Sequence, residues 1–173
     1  MVQQMNDKIA FLNRYTLSSK NKVEFITDKS TIVNAPIPEY WKAAFLADTL
    51  EDRKSIVLGE WQKYLAMELS NTILYLQTYL TDIELMRIGE EYSILYTLLS
   101  YKTQKTAFYE GKNPLSESNF GKKFDCTVEN IDKTIVNFYT KVHNGFYYYP
   151  SKTMGLDSAE NIDSMADFEW EYE

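Results

Sequence analysis

The only histidine of this 173-residue chain, His143, lies in the stretch "FYTKVHNGFYYYPSKTMGL", ahead of Asn144, Gly145 and four consecutive aromatics. An imidazole beside an aromatic platform could act as a general base or a metal ligand, provided that partners stand within reach. The single thiol, Cys126, lies seventeen residues upstream. On a continuous helix rising ~1.5 Å per residue, that separation is about 25 Å, which excludes a Cys-His nucleophile pair. No G-x-S-x-G elbow accompanies the serines, and no glycine-rich phosphate cradle occurs. One His and one Cys cannot supply the three or four soft ligands of a transition-metal site. EF-hand spacing is absent, and carboxylate-only binding of Mg²⁺ or Ca²⁺ by the acidic end of the chain is the alternative left open. The expectation is a non-enzymatic protein with no catalytic residue, no cofactor and no metal site.

A structural role accounts for the same residues together. Val128, Ile131, Ile135, Phe138, Tyr139 and Val142 share one face of a predicted helix, which Thr127 can cap, with Glu129 and Asp132 near its positive end. Asn144 and Gly145 tolerate the left-handed backbone that closes a helix. His143, in the last turn, would face the negative end of the helix dipole. The aromatics then resume in extended form as far as Pro150. His143, Asn144 and Gly145 are therefore expected to form a structural turn.

Charge is distributed unevenly. The net charge is −7, from 25 acids and 18 bases. Seven of those acids (Asp157, Glu160, Asp163, Asp167, Glu169, Glu171 and Glu173) fall in the last seventeen residues, which carry no Lys or Arg. The remainder of the chain is balanced at eighteen acids and eighteen bases. A concentrated negative field attracts basic partners and repels nucleic acid. The final "DFEWEYE" alternates strictly, with Phe168, Trp170 and Tyr172 on one side and carboxylates on the other, which predicts a strand with one wet face. That strand is either a charged, aggregation-blocking edge or a recognition surface for a basic protein. Fourteen Tyr and nine Phe raise the aromatic share to 15%, which suits half-buried positions and contact surfaces alike.

The length fits one domain with a real core. No run reaches the ~18 apolar residues of a membrane span, and the start lacks the order of a secretory signal, so a cytoplasmic location is expected. Val23, Phe25 and Ile32 could line a short sheet face. Pro36 and Pro38 precede a helix with Tyr40, Trp41, Ala44 and Phe45 on one stripe. Leu58, Trp61, Leu65, Leu69, Ile73, Leu76 and Leu80 recur at helical spacing. Thr81 and Glu84 have the spacing of a capping box, so helix is expected as far as about residue 88, while 92–110 is open between helix and strand. The segment "EGKNPLSESNFGKKFD" is a loop by composition.

The pattern "NFYTKVHNGFYYYPSKTMGL", followed by "SAENIDSM" and "EWEYE", resembles the SUKH superfamily, which includes bacterial immunity proteins. The matching positions are Phe138 and Tyr139, the turn His143-Asn144-Gly145, the segment Met154-Gly155-Leu156, and the acidic run from Glu160 onward. The early "PIPEYW" is similar to the family's first helix start, and the resemblance covers roughly residues 128–173. It implies a non-enzymatic α+β domain spanning 1–173, with several helices packed against a mixed or antiparallel sheet. It also implies a cytoplasmic protein that binds and neutralises a toxin. Members of that family continue with further strands past the acidic run, so the final strand is expected to be either the natural last one or one that has been cut.

Nuclease-like toxins need basic clefts for phosphate, and an acidic aromatic face complements such a cleft. The expected partner is a basic protein toxin, with no direct nucleic-acid contact and no membrane. The expected contact set is Tyr147, Tyr149, Asp157, Glu160, Asp163, Asp167, Glu169, Trp170 and Glu171. The alternatives are an adaptor or a nucleic-acid mimic that binds another protein.

Overall fold

Residues 2–16, 21–115 and 131–162 are described in the computed structural model of the protein. Capping chemistry opens several helices. Helix α1 (Val2–Asn13) leads to strand β1 (Val23–Phe25). The Asp28 carboxylate accepts the Thr31 N–H at 2.8 Å and starts α2 (Lys29–Asn34). Pro38 stands at the cap position of α3 (Glu39–Leu46), and the Thr49 hydroxyl accepts the Asp52 N–H at 3.1 Å to open α4 (Leu50–Leu65). Helix α5 (Ser70–Tyr79) passes directly into β2 (Leu80–Ile88), which is followed by β3 (Glu91–Leu99) and β4 (Thr106–Lys112). After the short helix α6 (Lys133–Asn137) and one π-helical turn (Phe138–Val142) come β5 (Phe146–Tyr148) and β6 (Gly155–Leu156).

The six strands form one antiparallel sheet in chain order. The architecture is α+β, as expected. Ile83, Leu85, Ile94, Tyr96 and Leu98 face the main core, where they meet Ile32, Trp41, Val57, Trp61, Leu65, Ile73 and Phe138 from the helices. The alternate residues Met86 and Leu95 face the other way, with Val23, Tyr149 and Leu12 of α1. Lys8 of α1 reaches this second face, where it pairs with Glu84 and donates to the Thr97 hydroxyl at 2.9 Å. Burial holds the Glu84 carboxyl above its usual range despite the Lys8 charge.

Several local expectations are corrected. Residues 80–88 and 91–99 are strands, where helix was expected as far as about residue 88. Both faces of the sheet are covered, so β3 is buried continuously from Ser93 to Leu98, and a short apolar run of that kind has no period to separate strand from helix. Gly89 and Glu90 form the two-residue hairpin loop, with Gly89 at φ +63°. Thr81 is the extra residue of a β-bulge and not a helix cap, and Glu84 is spent on Lys8. Ile32 belongs to α2, not to a sheet. Asp132, not Thr127, caps α6, by accepting the Thr134 N–H at 2.8 Å; Ile131 precedes that helix and Ile135 is 46% exposed. Cys126, Thr127, Val128 and Glu129 lie outside the described residues.

The helix was expected to close at Asn144-Gly145 with His143 in its last turn; it ends at Val142, and Asn144 and Gly145 instead bond to Lys112 of β4. Gly145 has φ +101°, and a Cβ there would lie 2.8 Å from the Ser158 nitrogen. Both the backbone conformation and the close approach require glycine. Gly145→Ala should lower unfolding stability by about 2 kcal/mol or more. Chemical denaturation checks this, and an unchanged midpoint would show that the turn tolerates a side chain.

Candidate functional site

Four elements converge on His143. Trp61 comes from α4, Tyr96 from β3, the Lys112 carbonyl from β4, and the π-helical turn delivers the imidazole. The His143 N–H bonds back five residues to the Phe138 carbonyl at 2.9 Å, and the wide turn buries Phe138, Tyr139 and Val142. Tyr40 of α3 donates its hydroxyl to the Val142 carbonyl at 2.7 Å and holds the end of that turn.

The polar contacts around the ring form a directed chain. The Trp61 indole N–H donates to the Tyr96 oxygen at 3.1 Å, and that oxygen lies 2.6 Å from His143 Nε2. His143 Nδ1 lies 3.3 Å from the Lys112 carbonyl. An indole N–H only donates and a carbonyl only accepts, so Nδ1 carries the proton and Nε2 accepts from the Tyr96 hydroxyl. Trp41 and Trp61 both stand with ring centroids 5.6 Å from the imidazole. Gly111 admits the ring: a Cβ there would sit 2.5 Å from it.

His143 is fully buried, and burial pushes its pKa down to about 3 against the Lys112 carbonyl, which raises it. Its backbone is extended, at φ −149° and ψ 144°. The expectation that His143 sits in the last helical turn facing the dipole is therefore corrected: it follows the turn in extended backbone, with its imidazole neutral and shut away from solvent. It also offers no nitrogen to a substrate. Its chemistry here is to tie α4, β3 and β4 together. The sequence signal for this role was weak, since none of Trp61, Tyr96 and Lys112 lies near His143 in the chain.

The expected contact residues divide into three groups. Tyr147 and Tyr149 are 5% and 0% exposed, so they form no surface. They lie under Lys152, whose ammonium stands 3.6 Å from the Tyr149 ring centroid and 2.7 Å from the Glu110 carboxylate. Asp157 and Glu160, expected to face a partner, both bond within the chain, and Glu160 alone of the two is ion-paired. The Asp157 carboxylate accepts the Ser158 N–H at 2.7 Å and an Asn161 amide N–H at 3.0 Å. The Glu160 carboxylate lies 2.9 Å from the Lys112 ammonium and accepts from the Asn144 amide at 3.1 Å. Burial raises the Glu160 pKa, but the hydrogen bond and charge of Lys112 outweigh it and hold the carboxyl at about 2. Asn144 also accepts the Ala159 N–H at 3.0 Å, so Asn144 and the Glu160–Lys112 pair pin 157–162 to the sheet edge, while the Asp157 carboxylate closes the turn within that segment. Asp163, Asp167, Glu169, Trp170 and Glu171 lie outside the described residues.

An apolar groove of about 270 Å³ opens beside α5, lined by Asn71, Thr72, Tyr75, Leu98, Tyr109 and Phe146. From Tyr75 a ladder of rings continues to Tyr79 at 4.7 Å and on to Tyr101 at 5.9 Å. Tyr101 is 65% exposed, and Leu74 next to Tyr75 is 61% exposed. The tyrosine surplus pointed to contact surfaces in general; only the pairing of α5 with the β3–β4 hairpin locates this one. Among the described residues no cluster of His, Cys, Asp and Glu could hold a metal ion, and no helix is long and apolar enough to cross a membrane.

Two measurements check the His143 chain. Tyr96→Phe leaves the Trp61 N–H and His143 Nε2 without partners and should cost about 2–4 kcal/mol of stability by denaturant unfolding. The unfolded chain takes up a proton near pH 6.5 while the folded chain does so only near 3, so this contribution is complete above 6.5 and is lost as pH falls toward 3. The slope is up to about 1.4 kcal/mol per pH unit. His143→Gln should be less stable at neutral pH and should show a flatter fall between pH 6.5 and 4; equal slopes would mean that His143 titrates normally. In comparisons with protein-family models, curated proteins and solved structures, the chain matches none.

Proposed function

We propose that this protein is a non-catalytic inhibitor of the immunity type, which binds a basic protein through the acid-rich end of its chain. The observation that carries this reading is the charge partition: the net −7 resides in seven acids after residue 156, while the rest of the chain balances. Asp157 and Glu160 are occupied internally, so the contact set narrows to Asp163, Asp167, Glu169, Trp170 and Glu171. A row of carboxylates interleaved with aromatics offers steering charge together with apolar anchors. The sole histidine being sealed in the core removes the most direct catalytic alternative.

A second reading, an adaptor that binds through tyrosine-rich surface, is favoured by the exposed ladder from Tyr75 to Tyr101.

Affinity capture from the native cell, followed by association kinetics with the captured protein, tests the inhibitor reading. The partner should carry net positive charge. Replacing Glu169 and Glu171 together with Lys should leave the melting temperature within about 2 °C and slow association about tenfold or more at low salt. A partner of net negative charge, or association rates indifferent to both salt and the substitutions, would overturn it.

A further inference from the structure

The groove beside α5 carries an inference that is independent of the acid-rich end. Its 270 Å³ lie below the ~300–1,000 Å³ of pockets that enclose small molecules, and its walls are chiefly Tyr75, Leu76, Leu98, Tyr109 and Phe146. That size and lining suit one inserted apolar side chain. Two exposed cations stand on the hairpin next to the ladder. The chain carries no acid from Leu69 to Thr81 or from Leu98 to Tyr109, and the β3–β4 hairpin beside Tyr101 carries Lys102 and Lys105. Both lysines are exposed, and neither ammonium is paired with a carboxylate among the described residues. Three acids flank these stretches: Glu68 before α5, Asp82 in β2, and Glu110 next to Tyr109, whose carboxylate is paired with Lys152.

The hairpin holds these groups in place. The Ser100 N–H donates to the Lys105 carbonyl at 2.9 Å, the Gln104 N–H to the Ser100 carbonyl at 2.8 Å, and the Gln104 side chain to the Tyr101 carbonyl at 2.9 Å. Tyrosine rings present large apolar area at small entropic cost, and a preorganised ladder of three leaves little to order on binding.

We propose that this surface docks an acidic protein segment, with an aromatic side chain of that segment in the groove and its carboxylates against Lys102 and Lys105. The anchor supplies burial, and the lysines select the sign of the flanking charge.

The test uses the full chain and two synthetic peptides, acetyl-Glu-Glu-Leu-Trp-Glu-Leu-Glu and the same peptide with Lys in place of every Glu, followed by tryptophan anisotropy. The acidic peptide should bind, and about 0.5 M salt should weaken it several-fold. The lysine peptide should bind at least about tenfold more weakly. Leu74→Ser with Tyr101→Ser, both exposed positions, should abolish binding without altering the circular dichroism spectrum. Lys102→Glu with Lys105→Glu should reverse the preference between the peptides. Equal binding of both peptides, or acidic-peptide binding that survives the substitutions, would overturn the proposal. So would sedimentation showing self-association that Leu74→Ser removes, since the occupant would then be a second copy of this chain. Neither result bears on the charge reversals at Glu169 and Glu171.

Discussion

The hydrogen-bonded chain from Trp61 through Tyr96 and His143 to the Lys112 carbonyl is the constraint on which the rest of the molecule depends. Each member has one available role, so the chain runs in one direction only and cannot be repaired by rotating a group. Its members come from a helix, a central strand, a neighbouring strand and the end of a π-helical turn, so satisfying it sets how the helical layer sits on the sheet. Gly111 leaves the space that the imidazole fills, and Trp41, Trp61 and Phe146 surround it with rings. A charged imidazole has no place there, which is why burial governs its protonation.

From that node the structure passes outward through the turn that follows. Asn144 and Gly145 carry the backbone from the π-helical turn into β5, and the Asn144 side chain reaches across to Ala159 and Glu160. Tyr139 donates its hydroxyl to the Asp157 carbonyl at 2.8 Å. Tyr40 and Tyr139 thus act as struts, with rings packed on the core and hydroxyls on backbone carbonyls. Others, from Tyr75 through Tyr79 to Tyr101, form a ladder that ends at an exposed ring beside Lys102.

Legibility from the sequence followed the range of the interactions involved. Pro38 before α3, the Trp41–Ala44–Phe45 stripe and the α4 stripe through Leu58, Trp61 and Leu65 show in patterns within a few residues, and all are present. The stretch from Leu80 to Ile88 reads as helix and 92–110 stays open between helix and strand, because the apolar residues there serve two cores at once. A sheet covered on one face would have shown alternation; α1 packed on the second face erased it. The same distance effect hid the partners of His143, of Glu84 and of Glu160, each supplied from a remote part of the chain.

By itself, the sequence determined the segregation of charge, the start of α3 at Pro38 and the presence of a glycine turn ahead of β5, since each of these shows in composition or in a short local motif. Only the tertiary structure decided that residues 80–99 are strands, that His143 is a neutral tie and not a base, that Tyr147 and Tyr149 are interior, and that Glu160 is already held by Lys112. Those outcomes turn on which groups are removed from water together, and that is settled by packing between distant segments.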